Sequence, residues 1–130
     1  MKIEHLALWV HDLENMKNFY VKYFGAASND LYHNEAKKFR SYFLRFDDGC
    51  RLELMNRPDI IAEPAQDHEK QKLGVVHFAV SVGAKHKVDA LTDHLRHDGY
   101  KIIGEPRTTG DGYYESVVLD PENNIIEITI

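Results

Sequence analysis

Ile3-Glu4-His5-Leu6-Ala7-Leu8-Trp9-Val10 and Gly74-Val75-Val76-His77-Phe78-Ala79-Val80-Ser81-Val82 open two stretches that carry the same signals in the same order. After the first, Asp12 is placed as an N-cap before Leu13, Met16, Phe19, Tyr20, Tyr23 and Phe24 at helical spacing, and Gly25 ends the helix. Three strand-like runs follow, about Ala26 to His33, Phe39 to Phe46 and Cys50 to Asn56, the last two joined by the turn Asp47-Asp48-Gly49. After the second, Val88, Leu91 and Leu95 mark a helix that ends at Gly99. Runs at Lys101 to Glu105, Tyr113 to Leu119 and Ile125 to Ile130 complete it, with Asp120-Pro121-Glu122-Asn123-Asn124 as the last turn. Each stretch reads as βαβββ, which predicts an α+β fold. Two modules, about residues 3–56 and 74–130, would form one domain over 1–130, with curled mixed or antiparallel sheets making a cup and the helices outside. The polar segment 57–73, with Pro58 and Pro64, reads as a linker or a lid.

Bulk properties narrow the function. Hydrophobic residues at 43% and charged residues at 28% match a packed soluble domain rather than a disordered chain. The net charge of -5 and the absence of clustered cations beyond Lys37-Lys38 argue against a nucleic-acid partner, because phosphate binding needs grouped Lys and Arg. No apolar run approaches the roughly 20 residues that span a bilayer, and Met1 to His5 lacks a signal-peptide core, so no membrane role and a cytoplasmic location are expected. The single cysteine, Cys50, has no partner for an internal disulfide and reads as a small residue opening a strand.

Parity along the strands singles out four residues. Leu6, Leu8 and Val10 share one face and His5, Ala7 and Trp9 the other; Phe78 and Val80 likewise oppose His77 and Ala79. Glu53 opposes Leu52 and Leu54, and Glu127 opposes Ile126 and Ile128. A sheet with one solvated face shows such alternation with no function attached. The repeat adds something further. His5 and His77 are offset by 72 residues and Glu53 and Glu127 by 74, so each module places a His and a Glu at matching positions, with small Ala7 and Ala79 beside the histidines. Two imidazoles and two carboxylates suit Zn²⁺, Ni²⁺, Co²⁺, Mn²⁺ or Fe²⁺, and imidazoles disfavour Ca²⁺.

His11, His33, His68, His86, His94 and His97 fall in predicted turns or on polar helix faces and read as solvated. The loop Arg107-Thr108-Thr109-Gly110-Asp111-Gly112 lacks the order of a phosphate-binding fingerprint and reads as a turn or mouth loop. Registering Phe39 to Phe46 so that Leu44 and Phe46 join the core puts Ser41, Phe43 and Arg45 on the cup side. Arg45 there is either a substrate-carboxylate partner or a solvated strand arginine.

Ile3-Glu4-His5-Leu6-Ala7-Leu8, Val10-His11-Asp12-Leu13-Glu14, Phe19-Tyr20, Gly25 and Leu119-Asp120-Pro121-Glu122-Asn123-Asn124-Ile125-Ile126-Glu127 together resemble the vicinal oxygen chelate superfamily over nearly the whole chain. Within it the set His, Glu, His, Glu is most similar to glyoxalase I, which isomerises a hemithioacetal through a metal-stabilised enediolate. The resemblance implies one divalent metal held by His5, Glu53, His77 and Glu127, with Glu127 as the proton-abstracting carboxylate and Glu53 as its partner. It also implies a homodimer with metal sites at the subunit interface. Bacterial glyoxalase I enzymes carry an arginine four residues after the first metal-binding His, where it helps hold glutathione. Trp9 stands there in this chain, which points to a glyoxalase-like isomerase or lyase with a different small substrate, and to Trp9, Phe43 and Arg45 as pocket residues. The same superfamily also contains metal-free drug-sequestering proteins of the bleomycin-resistance type, thiol transferases and extradiol dioxygenases.

Overall fold

Helix α1 (Leu13–Phe24) starts where Asp12, in extended conformation, accepts a hydrogen bond from the Asn15 N–H at 3.0 Å. One of the first-turn donors left without an intrahelical partner is satisfied in this way. Leu13, Met16, Phe19, Tyr20 and Tyr23 are the buried face. At the other end Gly25 adopts φ +65°, a left-handed conformation that glycine enters without a Cβ penalty, and the N–H groups of Gly25 and Ala26 both turn back to the Tyr20 carbonyl.

The computed structural model describes residues 1–61 and 73–130, and the chain divides into two compact units, Met1–Pro64 and Ala65–Ile130, each holding one predicted module. Most of the segment read as a linker or lid lies outside the described residues, as does His68. In the first unit β1 (His5–Trp9) pairs in parallel with β5 (Arg51–Asn56), which pairs antiparallel with β4 (Phe39–Arg45), giving a mixed sheet. Helix α1 packs on β4 and β5, and Tyr42, Leu44, Leu52 and Leu54 meet it from the sheet. Leu6 and Leu8 are only half-buried; β1 ends its sheet, with β5 as its ladder partner among the described residues.

The single strand expected over Ala26 to His33 is instead two short ones, β2 (Ala27–Ser28) and β3 (Tyr32–Asn34), both paired with β4. The break comes at Asn29, whose side-chain oxygen accepts the Phe43 N–H at 2.7 Å in place of a backbone carbonyl. Three residues then separate the two strands where β4 has only two, so the register slips by one, as in a bulge. His33 lies in β3, within the run expected to be a strand, and not in a turn.

The second unit repeats the plan with β6 (His77–Ser81), α2 (Lys85–His97), β7 (Ile102–Thr108), β8 (Tyr114–Leu119) and β9 (Ile125–Thr129), in sheet order β6-β9-β8-β7 with β6 and β9 parallel. Val88 and Leu95 from α2 pack with Val118, Ile126 and Ile128. Helix α2 ends in a Schellman arrangement: Tyr100 N–H reaches the Leu95 carbonyl at 2.9 Å, Gly99 N–H reaches Arg96 at 3.1 Å, and Gly99 has φ +88°. The turn before β9 is organised by buried Asp120, whose Oδ1 accepts the N–H groups of Glu122 and Asn124, both at 2.9 Å. Strand β7 runs on to Thr108, so Arg107 and Thr108 belong to a strand and not to the predicted mouth loop. The extension tolerates Pro106 because β7 is an edge strand with an irregular register. No described helix is long and apolar enough to cross a membrane.

Candidate metal centre

The parallel pairings β1·β5 and β6·β9 build the same local constellation twice. Ala7 stands opposite Glu53 and Ala79 opposite Glu127, so in each unit the glutamate lies two residues along the ladder from the histidine, on the same face and beside the alanine. His5 Nε2 is 3.8 Å from Glu53 Oε2, and His77 Nε2 is 3.2 Å from Glu127 Oε2. The glutamate side chains are 13% and 21% exposed and the histidines 39% and 41%, so each carboxylate lies low between neighbours while its imidazole reaches outward. Leu52, Leu54, Ile126 and Ile128 hold the opposite faces of β5 and β9 in the core, which fixes both glutamates outward.

These spacings suit metal ligation. Two donors bonded to one ion at roughly 2.0–2.2 Å, at tetrahedral or octahedral angles, stand about 3.0–3.5 Å from each other. The His77–Glu127 spacing falls within that range and the His5–Glu53 spacing slightly beyond it. Among the described residues no group of three or more His, Cys, Asp or Glu side chains is arranged to hold a metal, so the donors of each unit are a pair. His94 pairs with Asp98 along α2 at 3.4 Å, and Cys50 is exposed just ahead of β5.

Around the first pair the sheet face is aromatic and cationic. Phe43, the β4 partner of Glu53, meets the His5 ring edge-on at 5.4 Å between centroids, and the Arg51 guanidinium lies 4.1 Å above the Phe43 ring. Trp9 packs edge-on against Phe39 at 6.0 Å, with Tyr32 also against Phe39 at 6.1 Å and Arg57 over Trp9 at 5.5 Å. Of the three pocket residues named from sequence, Trp9 and Phe43 lie on this face. Arg45 shares the parity of Phe43 but is exposed and has no ion pair among the described residues.

Sequence reasoning passed over Glu4, Arg51, Phe39 and Tyr32. Glu4 Oε2 accepts from His5 Nδ1 at 2.5 Å, and Arg51 Nε donates to Glu4 Oε1 at 2.8 Å. The hydrogen bond from His5, followed by Arg51, holds the Glu4 carboxyl below its ordinary range. Strand parity puts Arg51 on the face of Glu53, a signal that could have found it, but nothing local says that Glu4, just ahead of the strand, folds back onto its neighbour.

Paired βαβββ units, each with a His–Glu pair on one sheet face, define a glyoxalase-type fold. The chain belongs to the Glyoxalase/Bleomycin resistance protein/Dioxygenase superfamily, whose sequence profile matches residues 2–128. It is 26% identical over 129 residues to the uncharacterized protein YqjT of Bacillus subtilis (strain 168), covering 97% of this chain and 96% of that one. Its structure is similar to that of a V278E glyoxalase I mutant from Zea mays (TM-score 0.76, 22% identity), with 98% of this chain matching 44% of the maize chain. The chain thus spans less than half the length of the maize protein. It is also similar to the trypanothione-dependent glyoxalase I of Leishmania major (TM-score 0.77, 21% identity), covering 99% of this chain and 86% of that one.

Proposed function

We propose that the protein is a metal-dependent lyase or isomerase of the glyoxalase I type, acting on a small substrate with adjacent oxygen atoms. His5, Glu53, His77 and Glu127 are its metal ligands, and Glu127 and Glu53 its proton-transfer groups. The observation that carries this reading is the register identity of the two pairs: the same His, Ala and Glu positions recur across two parallel ladders although most surrounding residues differ. A solvated sheet face has no need to repeat that combination.

A bound divalent ion supplies Lewis-acid polarisation of the substrate oxygens, which acidifies the neighbouring carbon-bound proton. Glu127 takes that proton as a general base and Glu53 returns it to the adjacent carbon, so the reaction is a net 1,2-shift with no external oxidant. The low placement of both carboxylates limits the water around them, which favours transfer to and from substrate. The aromatic row Trp9, Phe39, Phe43 and Tyr32 supplies apolar surface for the substrate body. That row also suits the second reading, a metal-free protein that sequesters an aromatic small molecule.

Metal analysis separates the two. Protein purified without chelators and supplied with Ni²⁺, Co²⁺ or Zn²⁺ should bind metal stoichiometrically, and His5→Ala and His77→Ala should each weaken binding strongly. No uptake by the unmodified chain refutes the metal-dependent reading. The proposal includes a homodimer, and mixing His5→Ala chains with His77→Ala chains reads whether a site draws its ligands from one chain or two. One restored site per heterodimer marks sharing between chains.

A further inference from the structure

The two histidines, equivalent by repeat, are not equivalent in what holds them. Glu4 precedes His5, Arg51 is its register partner on β5, and Phe43 is the β4 partner of Glu53. The corresponding positions in the second unit are Val76, Ile125 and Val117, all apolar. A carboxylate–guanidinium–aromatic cluster therefore surrounds one imidazole, while the other has only aliphatic neighbours at those three positions.

The chemistry of the first cluster is directional. Glu4, with Arg51 Nε on Oε1 at 2.8 Å and Nη2 on the same oxygen at 2.5 Å, is an ionised acceptor without a proton to give. Its contact of 2.5 Å with His5 Nδ1 then requires that nitrogen to donate. In neutral His5 the proton is thus on Nδ1, and the lone pair is on Nε2, the atom facing Glu53 at 3.8 Å. Phe43, edge-on to the imidazole and covered by Arg51, flanks the ring in that orientation.

We propose that Glu4 and Arg51 are positioning residues for His5: Glu4 fixes its tautomer and ring orientation so that Nε2 is presented beside Glu53, and Arg51 locks Glu4 in place. At Val76, Ile125 and Val117 the second unit offers no carboxylate or guanidinium for that part, so among the described residues only His5 has its tautomer fixed from behind, although His77 Nε2 already lies 3.2 Å from Glu127. This rests on the proposed function in so far as His5 is a metal ligand. A carboxylate behind a ligating imidazole orients the ring and raises its basicity, and loss of such a partner costs about 10–100-fold in metal affinity.

The test uses the full chain and begins without metal. Long-range proton–nitrogen spectra of protein carrying ¹⁵N-labelled histidine report the tautomer of each ring. The unmodified chain should show His5 as a single Nδ1–H tautomer, Glu4→Leu should convert it to a mixture, and His77 signals should stay unchanged. Glu4→Gln keeps an acceptor oxygen and should retain the tautomer; Arg51→Leu should broaden it. Chelator competition with Zn²⁺ should then show about a 10–100-fold loss for Glu4→Leu and a smaller one for Glu4→Gln. A mixed or Nε2–H His5 in the unmodified chain overturns the positioning role, as does Glu4→Leu binding Zn²⁺ like the unmodified protein. Failure of the unmodified chain to bind Zn²⁺ refutes the ligand set instead, and the metal-free spectra still decide the Glu4–His5 interaction.

Discussion

Replacing Ala79 with leucine asks whether the Glu127 carboxylate needs open space beside it. Ala79 is the register partner of Glu127, and its side chain lies on the exposed face of β6. Directly paired residues on neighbouring strands have Cβ atoms about 4.5–5.5 Å apart. Carbon atoms rest against each other at about 3.5–4.0 Å, so leucine methyls at position 79 fill the gap to the Glu127 side chain. An ion bonded to that carboxylate must come within about 2.0–2.2 Å of its oxygen, and both occupants do not fit. An exposed strand position outside the core changes stability by about 0.5 kcal/mol or less. The expected result is therefore selective: at least about a tenfold loss of Zn²⁺ affinity, equal to about 1.4 kcal/mol, with the urea midpoint of metal-free protein nearly unchanged. Ala7→Leu, opposite Glu53, should act in the same way. Unaltered Zn²⁺ affinity in a folded Ala79→Leu protein refutes the reasoning that the small residue keeps the carboxylate accessible.

Three further outcomes follow from the packing and caps. Asp12→Ala removes the cap of α1 and should cost about 1 kcal/mol, whereas Ala84→Ser supplies one to α2, which has no side-chain cap, and should stabilise by a similar amount; urea unfolding of both checks the pair. A Cβ at Gly104 would meet Val117 Cγ2 at 2.9 Å, so Gly104→Ala should destabilise by about 1–3 kcal/mol, and adding Val117→Ala should recover part of that in a double-mutant cycle. Lys17, then Tyr42, hold the Glu14 carboxyl below its ordinary value of 4.5. A depressed folded value means that the stabilisation is present above the ordinary range and lost as pH falls through the lowered one. Tyr42→Phe should accordingly flatten the acid limb of the stability curve, weakly because Glu14 is exposed. An unchanged limb between about pH 3 and 5 would count against that donor's role.

Much of this architecture follows from local sequence. Asp12 and Gly25 bracket α1, Gly99 follows α2, and alternation in Leu52-Glu53-Leu54 and Ile126-Glu127-Ile128 states which side chains leave the core, because strand parity needs no knowledge of the partner strand. The offsets of the repeat then pair His5 with His77 and Glu53 with Glu127 before any strand is placed. Tertiary structure decided the rest, and in each case the reason is a register or a distant neighbour. That β1 and β5 run parallel with Ala7, rather than His5, opposite Glu53 depends on a pairing across more than forty residues. Asn29 splits the expected strand because its side chain captures the Phe43 N–H, and β7 extends through Arg107 because Gly104 lets it approach Val117. The Glu4–His5–Arg51 cluster is the sharpest example: Glu4 and His5 are neighbours in sequence but Arg51 is far along the chain, and only the ladder between β1 and β5 sets its guanidinium against the carboxylate that orients the imidazole.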